Sequence, residues 1–295
     1  MNGVLIINKQ KGCTSNDIVK KVKKLLNTKV GHTGTLDPNA TGVLPLLIGD
    51  ATKISKYLIN HNKEYEAVIK LGIKTTTADG EGEVLKQKEV DKSLLTEENV
   101  TKALEMFLGK QEQMPPIYSA IKVNGKKLYE YARSGKEVEI KTRCIEIYSI
   151  KLIKIDLEHN ELIFNVKCSK GTYIRSLCED IADKLDTVGY MKDLNRIQVG
   201  EFNIKDAVTI DVIEKNVKEG KELEIISIES IFKNNKSIQL SRTNLDKYLN
   251  GVKIDISEEK NINKEDICKV YFNEVFIGIG IVNNNKLKRD IVVNI

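Results

Sequence analysis

Apolar residues along the chain recur with two different periods. Residues 3–7, GVLII, form an unbroken apolar run and predict a short buried strand. After the loop NKQKGCTS, Ile18, Val19, Val22, Leu25 and Leu26 follow helical spacing and predict an amphipathic helix capped by Ser15 or Asn16. Residues 51–59 predict a second, short helix. Residues 64–72 alternate, with Tyr65, Ala67, Ile69 and Leu71 on one face and Glu66 and Lys70 on the other, which predicts a half-buried strand. A helix over 97–108 leads into QEQMPPIYSAIKVNGKKLYEYARSG. Paired prolines and an NG turn make that stretch a long ordered loop with a short helix near 129–133. Strands are predicted over 143–155 and 161–168, the second carrying Leu162, Phe164, Val166 and Cys168 on one face. GTY at 171–173 opens a helix that buries Ile174, Leu177, Cys178, Ile181 and Leu185. Beyond about residue 205 Lys, Glu, Asn and Ile dominate, KNNKS at 233–237 reads as a linker, and the remaining residues carry short β-like runs.

One stretch fits neither period. Residues 31–45 read GHTGTLDPNATGVLP, with three glycines, two of the chain's four prolines and a single carboxylate, Asp37. Glycine admits backbone conformations that other residues avoid, and proline fixes φ and donates no hydrogen bond, so the stretch predicts a shaped loop. Taken alone, Asp37 before Pro38 makes an Asx turn, and His32 braces the neighbouring glycine turn.

Charge sharpens the picture at one end. Residues 1–60 hold nine Lys and three Asp, a net of +6, while the whole chain of 295 residues carries +5. Lys20, Lys21, Lys23 and Lys24 fall off the apolar face of the first helix, giving either a solvated surface or a grip on a polyanion. Trp is absent and aromatics are 5% of residues, so base stacking would fall to individual tyrosines such as Tyr65. The five cysteines form no CxxC pair and the three histidines have no ligand spacing, which predicts neither a disulfide framework nor a metal site. No apolar run is long enough to span a membrane, and the expected location is the cytoplasm. Arg175, at the start of the 174 helix, is by default a surface residue, or else a cation reaching inward to keep a buried acid ionised through a bidentate contact.

These stretches together resemble one family. GHTGTLDPNATGVLP, the opening GVLIINKQKGCTSNDIVKKVK, KEY at 63–65, TTTADGEGEV at 75–84, PPIYSAIKVNGKKLYEYARSG, GTYIRSL at 171–177 and LNRIQVGEF at 194–202 are similar, in order, to segments of the TruB family of pseudouridine synthases. Gln10 stands where that family commonly has proline after the lysine.

The resemblance implies an α+β fold. A pseudouridine synthase catalytic domain over 1–232, built on a mixed, mainly antiparallel sheet flanked by helices, would precede a small PUA-like β domain over 237–295. It implies isomerisation of uridine to pseudouridine at position 55 in the T loop of tRNA, with no cofactor, no metal and no guide RNA, by a monomer. Asp37 would be the essential nucleophile or base, Arg175 its ion-pair partner, and Tyr65 the stacking residue placed to help remove the C5 proton. Leu194 would wall the pocket, His32 would fill space left by the flipped base, and Lys9 with the basic helix would grip phosphates. The rival readings are a related synthase acting on another RNA and an RNA-binding chaperone of tRNA folding. Retention of Asp37, Tyr65 and Arg175 together favours an enzyme.

Overall fold

The computed structural model describes residues 1–257, 259 and 262–293. Its first strand, β1 (Gly3–Lys9), buries Val4 and Ile6 in one apolar cluster and Leu5 and Ile7 in another, which explains its unbroken apolar run. Helix α1 (Ser15–Leu26) follows, with Ile18 and Val22 buried. Its N-cap is Thr14 rather than Ser15 or Asn16, because Thr14 and Asp17 form a reciprocal capping box. The four lysines of its outer face are exposed as expected, Lys21 pairing with Glu214 at 2.9 Å.

The loop expected over 31–45 is shorter. Strand β2 (Val30–His32) precedes it, and β3 (Thr41–Ile48) follows it with Pro45 inside the strand. β3 pairs with β1 along one edge, Pro45 opposite Ile6. Its other edge pairs with the strand Gly189–Val199 only at Thr41 and Gly42, and with β2 only at Leu46–Ile48. Residues 43–45 face no strand there, so the N–H that proline lacks removes no ladder bond.

Nine strands form the main sheet. Its path runs β1, β3, Gly189–Val199, β4 (Lys63–Leu71), Glu161–Cys168, Arg143–Asp156 and Gly109–Gln113, with β2 and a short Phe202–Asn203 strand attached. Every pairing is antiparallel except the two-residue contact between β3 and Gly189–Val199, so the sheet is mixed and mainly antiparallel. The helices Glu97–Glu105 and Ile174–Lys184 cover one face and close a core containing Ala67, Ile69, Phe164, Val166, Leu104 and Leu177.

Gly189–Val199 was not expected as a strand, yet it joins the two halves of the sheet. Register shifts at Met191/Asp193 and Arg196/Gln198 break its alternation, which hides the period of two.

A second sheet of five strands lies at the C-terminal end, ordered Ser237–Gln239, Ile267–Phe272, Val275–Asn283, Lys286–Val292 and Ile254–Asp255. With the helix Arg242–Leu249 it encloses Leu245, Tyr248, Val270 and Leu287. Its Phe276, Ile279, Ile291 and Val293 belong to the same apolar cluster as Val4, Ile6, Leu47, Ile54 and Leu58. The hydroxyl of Tyr57 donates to Asp290 at 2.6 Å across that junction. No helix among the described residues is long and apolar enough to cross a membrane.

Candidate active site

Each element that frames the site delivers one side chain for a local reason. β4 points Lys63, Tyr65, Ala67, Ile69 and Leu71 to one face; the last four enter the core, Tyr65 at its edge on the cleft, while Lys63 lies beyond it. Arg196 lies directly opposite Tyr65 on the neighbouring antiparallel strand, as Leu194 lies opposite Ala67. Arg175 stands in the first turn of its helix, 7% exposed. Residues 33–40 supply Asp37.

The Asp37 loop is tied on both sides. Ser15, the residue expected to cap α1, instead grips Leu36: its Oγ donates to the Leu36 carbonyl at 3.1 Å and accepts from the Leu36 N–H at 2.8 Å. The Pro38 carbonyl accepts from Lys9 Nζ at 2.9 Å and from the Gly12 N–H at 3.1 Å. Lys9 is 0% exposed, so it braces the loop and is not placed to grip phosphate, contrary to expectation. Burial lowers its pKa, opposed by nearby Cys13 and Asp37.

Arg175 gathers three distant segments onto its helix. Its Nε lies 3.2 Å from Asp37 Oδ2, the expected ion pair. Its Nη1 lies 3.4 Å from Asp79 Oδ2 and donates to the Thr77 carbonyl at 3.2 Å, and Nη2 donates to the Tyr118 carbonyl at 2.9 Å. Asp79 was missed by sequence reasoning, being one of three acids in a single turn stretch, TTTADGEGEV. The Asp37 side chain keeps 41% of its surface open to the cleft. Burial of its carboxyl raises its pKa above the ordinary value; Arg175 opposes that rise, Asp79 adds to it, and Lys9 opposes it weakly.

A cleft of about 740 Å³ opens above these groups. Among the described residues Asp37 is the one carboxylate on its walls, against Lys63, Arg143, Lys170, Arg175 and Arg196; Tyr65, Tyr118, Tyr129 and Tyr173 supply aromatic faces. Such a lining suits a polyanion whose bases stack on single tyrosines. Tyr65 is 8% exposed, and burial raises its pKa while Arg196 opposes the shift, so it is a phenol near neutral pH.

Besides Lys9, two expected residues lie off this cleft. Leu194 lines a smaller hollow that shares Asp37, with Asn39, Asp79 and the Lys11–Asp193 ion pair also in its wall. His32 sits in β2, one residue before the lining at Thr33; its Nδ1 is buried without a protein partner, and burial lowers its pKa. No cluster of His, Cys, Asp and Glu able to hold a metal occurs among the described residues.

Comparison with known proteins gives this arrangement a family. Residues 20–174 match the TruB family pseudouridylate synthase N-terminal domain, and residues 175–251 match the tRNA pseudouridylate synthase B C-terminal domain. The chain is 44% identical over 283 residues to tRNA pseudouridine synthase B of Clostridium tetani, covering 95% of each. It is 45% identical over 292 residues to the same-named protein of Alkaliphilus oremlandii, covering 96% of this chain and 94% of that one. Among solved structures, an H/ACA RNP bound to a substrate RNA containing 2′-deoxyuridine contains a chain of the same fold, with TM-score 0.71 and 21% identity over 99% of this chain and 85% of that one. A Cbf5–Nop10–Gar1 complex gives TM-score 0.69 and 24% identity over 99% of this chain and 83% of that one. Matched by family models from residue 20 to residue 251 and along nearly its whole length by these relatives, the chain belongs to the TruB family of pseudouridylate synthases.

Proposed function

We propose that the protein isomerises uridine to pseudouridine at position 55 in the T loop of tRNA, acting in the cytoplasm as a monomer without a guide RNA. The observation that carries this reading is the Asp37–Arg175 ion pair at 3.2 Å, on the wall of a cationic, tyrosine-lined cleft. The names of the relatives support tRNA as the substrate.

The reaction breaks the N1–C1′ bond, turns the uracil while it stays bound, and joins C5 to C1′, with no group gained or lost. The target nucleotide leaves the RNA loop, at a cost of about a few kcal/mol, and its base stacks on Tyr65. Arg175 holds the Asp37 carboxylate ionised and aimed at that nucleotide. Tyr65 serves as the stacking face and is placed to help remove the C5 proton once the new bond forms. Leu194 walls the hollow that shares Asp37, and His32 supports the opened RNA loop.

The test is Asp37→Asn on a T-arm hairpin, with pseudouridine mapped at nucleotide resolution. The variant is expected to bind the hairpin and form no product; wild-type turnover by the variant would refute the assignment.

A further inference from the structure

Arg196 and Lys63 are buried cations held on main-chain carbonyls, Arg196 also lying within hydrogen-bonding reach of the Tyr65 hydroxyl. Arg196 is 1% exposed; its Nε donates to Val43 O at 2.8 Å and its Nη2 to Gly34 O at 3.0 Å. Lys63 is 8% exposed; its Nζ donates to His61 O at 2.6 Å and to Ile59 O at 3.2 Å. Among the described residues neither makes an ion pair, and the Asp37 carboxylate is already matched by Arg175. Desolvating two neighbouring cations without an anion is unfavourable, so their placement calls for a negative charge that arrives with the substrate. Both lie on the cleft wall, on the face that carries Tyr65: Arg196 directly across the strand pair from it, Lys63 two residues along.

The proposed reaction creates such a charge. When N1–C1′ breaks, the bonding pair stays with uracil and spreads over N1, O2 and O4. The C1′ end is then satisfied by an Asp37 oxygen or by loss of the C2′ proton. Addition of Asp37 to C6 instead would send a pair to C5 and O4. In each route the ring turns anionic beside Tyr65. When C5 bonds to C1′ the pair is returned, Asp37 regains its carboxylate, and the C5 proton ends on N1.

We propose that Arg196 is a positioning residue which, with Lys63, supplies the positive field that stabilises the uracil anion held against Tyr65. This rests on the function proposed above. The Lys63 ammonium is pushed down to about 8 by burial first, then by Arg196 and Lys170, so it still carries its charge near neutral pH.

The test is single-turnover kinetics on T-arm hairpins carrying uridine or 5-fluorouridine at the target position, read as loss of the parent nucleoside. Fluorine withdraws electrons and makes the departing base a better anion, so it relieves the need for a cation. Arg196→Gln is expected to slow uridine about 100-fold while hairpin affinity stays within about twofold. Arg196→Lys is expected to recover about tenfold of that loss, and the 5-fluorouridine hairpin to be slowed only about tenfold by Arg196→Gln. Equal slowing of both hairpins would mean that Arg196 only braces Val43 and Gly34, and would overturn the proposal, as would an Arg196→Gln rate equal to wild type.

Should Arg196→Gln fail to fold, Lys63 carries the same test. The wild-type rate is expected to fall as pH rises through about 8, and Lys63→Arg to remove that fall. Of the groups facing Lys63, Arg196 and Lys170 are cations, His61 is pushed down by burial and by Lys63, Cys168 is pushed up to about 11 and Tyr65 is also raised, so none of these titrates in that range. A Lys63→Gln protein that reacts with both hairpins at the wild-type rate would overturn the proposal. A wild-type protein that makes no pseudouridine in the uridine hairpin would refute the function itself; an active wild type with indifferent charge variants would refute this inference alone.

Discussion

Ser15 holds Leu36 by both of its backbone polar groups, donating to the carbonyl at 3.1 Å and accepting from the N–H at 2.8 Å. The first residue of α1 thereby fixes the residue before Asp37. Ser15→Ala leaves two buried main-chain groups unpaired, an expected loss of about 1–3 kcal/mol. We expect a lower melting temperature and a slower single-turnover rate, with hairpin affinity unchanged. A Ser15→Ala protein that reacts at the wild-type rate would show that the loop holds its shape without this clamp.

The ionisation of Asp37 is set against two neighbours of opposite effect. Activity that needs the carboxylate falls as pH drops through its raised pKa. Asp79 adds to that rise, so Asp79→Asn should move the acid limb of the rate profile to lower pH; Arg175→Met should move it to higher pH. Limbs that coincide with wild type in both variants would remove these side chains from the electrostatics of the site.

Stability follows the same shift with a defined sign. A carboxyl whose folded-state pKa is raised stabilises the fold below its ordinary value of 3.8, and that contribution is lost as pH rises through the folded value. Asp37→Asn is therefore expected to melt above wild type near neutral pH, the gap closing toward the acid end. Thermal melts across pH decide it; a variant that melts lower at neutral pH contradicts the sign.

Truncation after residue 236 tests the junction between the two sheets. It would strip Phe276, Ile279, Ile291 and Val293 from the cluster that also buries Val4, Ile6 and Leu47. The remaining protein is expected to melt well below the full chain and to lose activity through unfolding. A truncated protein with an unaltered melt would show that this shared cluster adds little.

Much of the architecture is legible in the residues, and the gaps have physical causes. The α1 face, β4 and the strand Glu161–Cys168 announce themselves because one clean period runs through each. Gly189–Val199 does not, because two bulges reset its alternation. Pro45 argued for loop, yet it sits where its strand edge has no partner strand. At the site, Asp37, Tyr65 and Arg175 stand out through family resemblance, and the structure brings them together. Lys9 misleads because long cationic side chains are usually on surfaces, whereas it is buried here on a main-chain carbonyl; Arg196, buried the same way, drew no reading for that reason. Asp79 depends on a meeting of distant segments that no local pattern encodes.

The ties on Leu36 and Pro38 leave the Asp37 carboxylate little freedom to follow its target. Accommodation then falls to the nucleic acid. Under the proposed function, discrimination between RNAs is a matter of how readily each one surrenders its loop conformation, and a sequence change that softens the loop is expected to alter turnover even where the protein touches none of the altered bases.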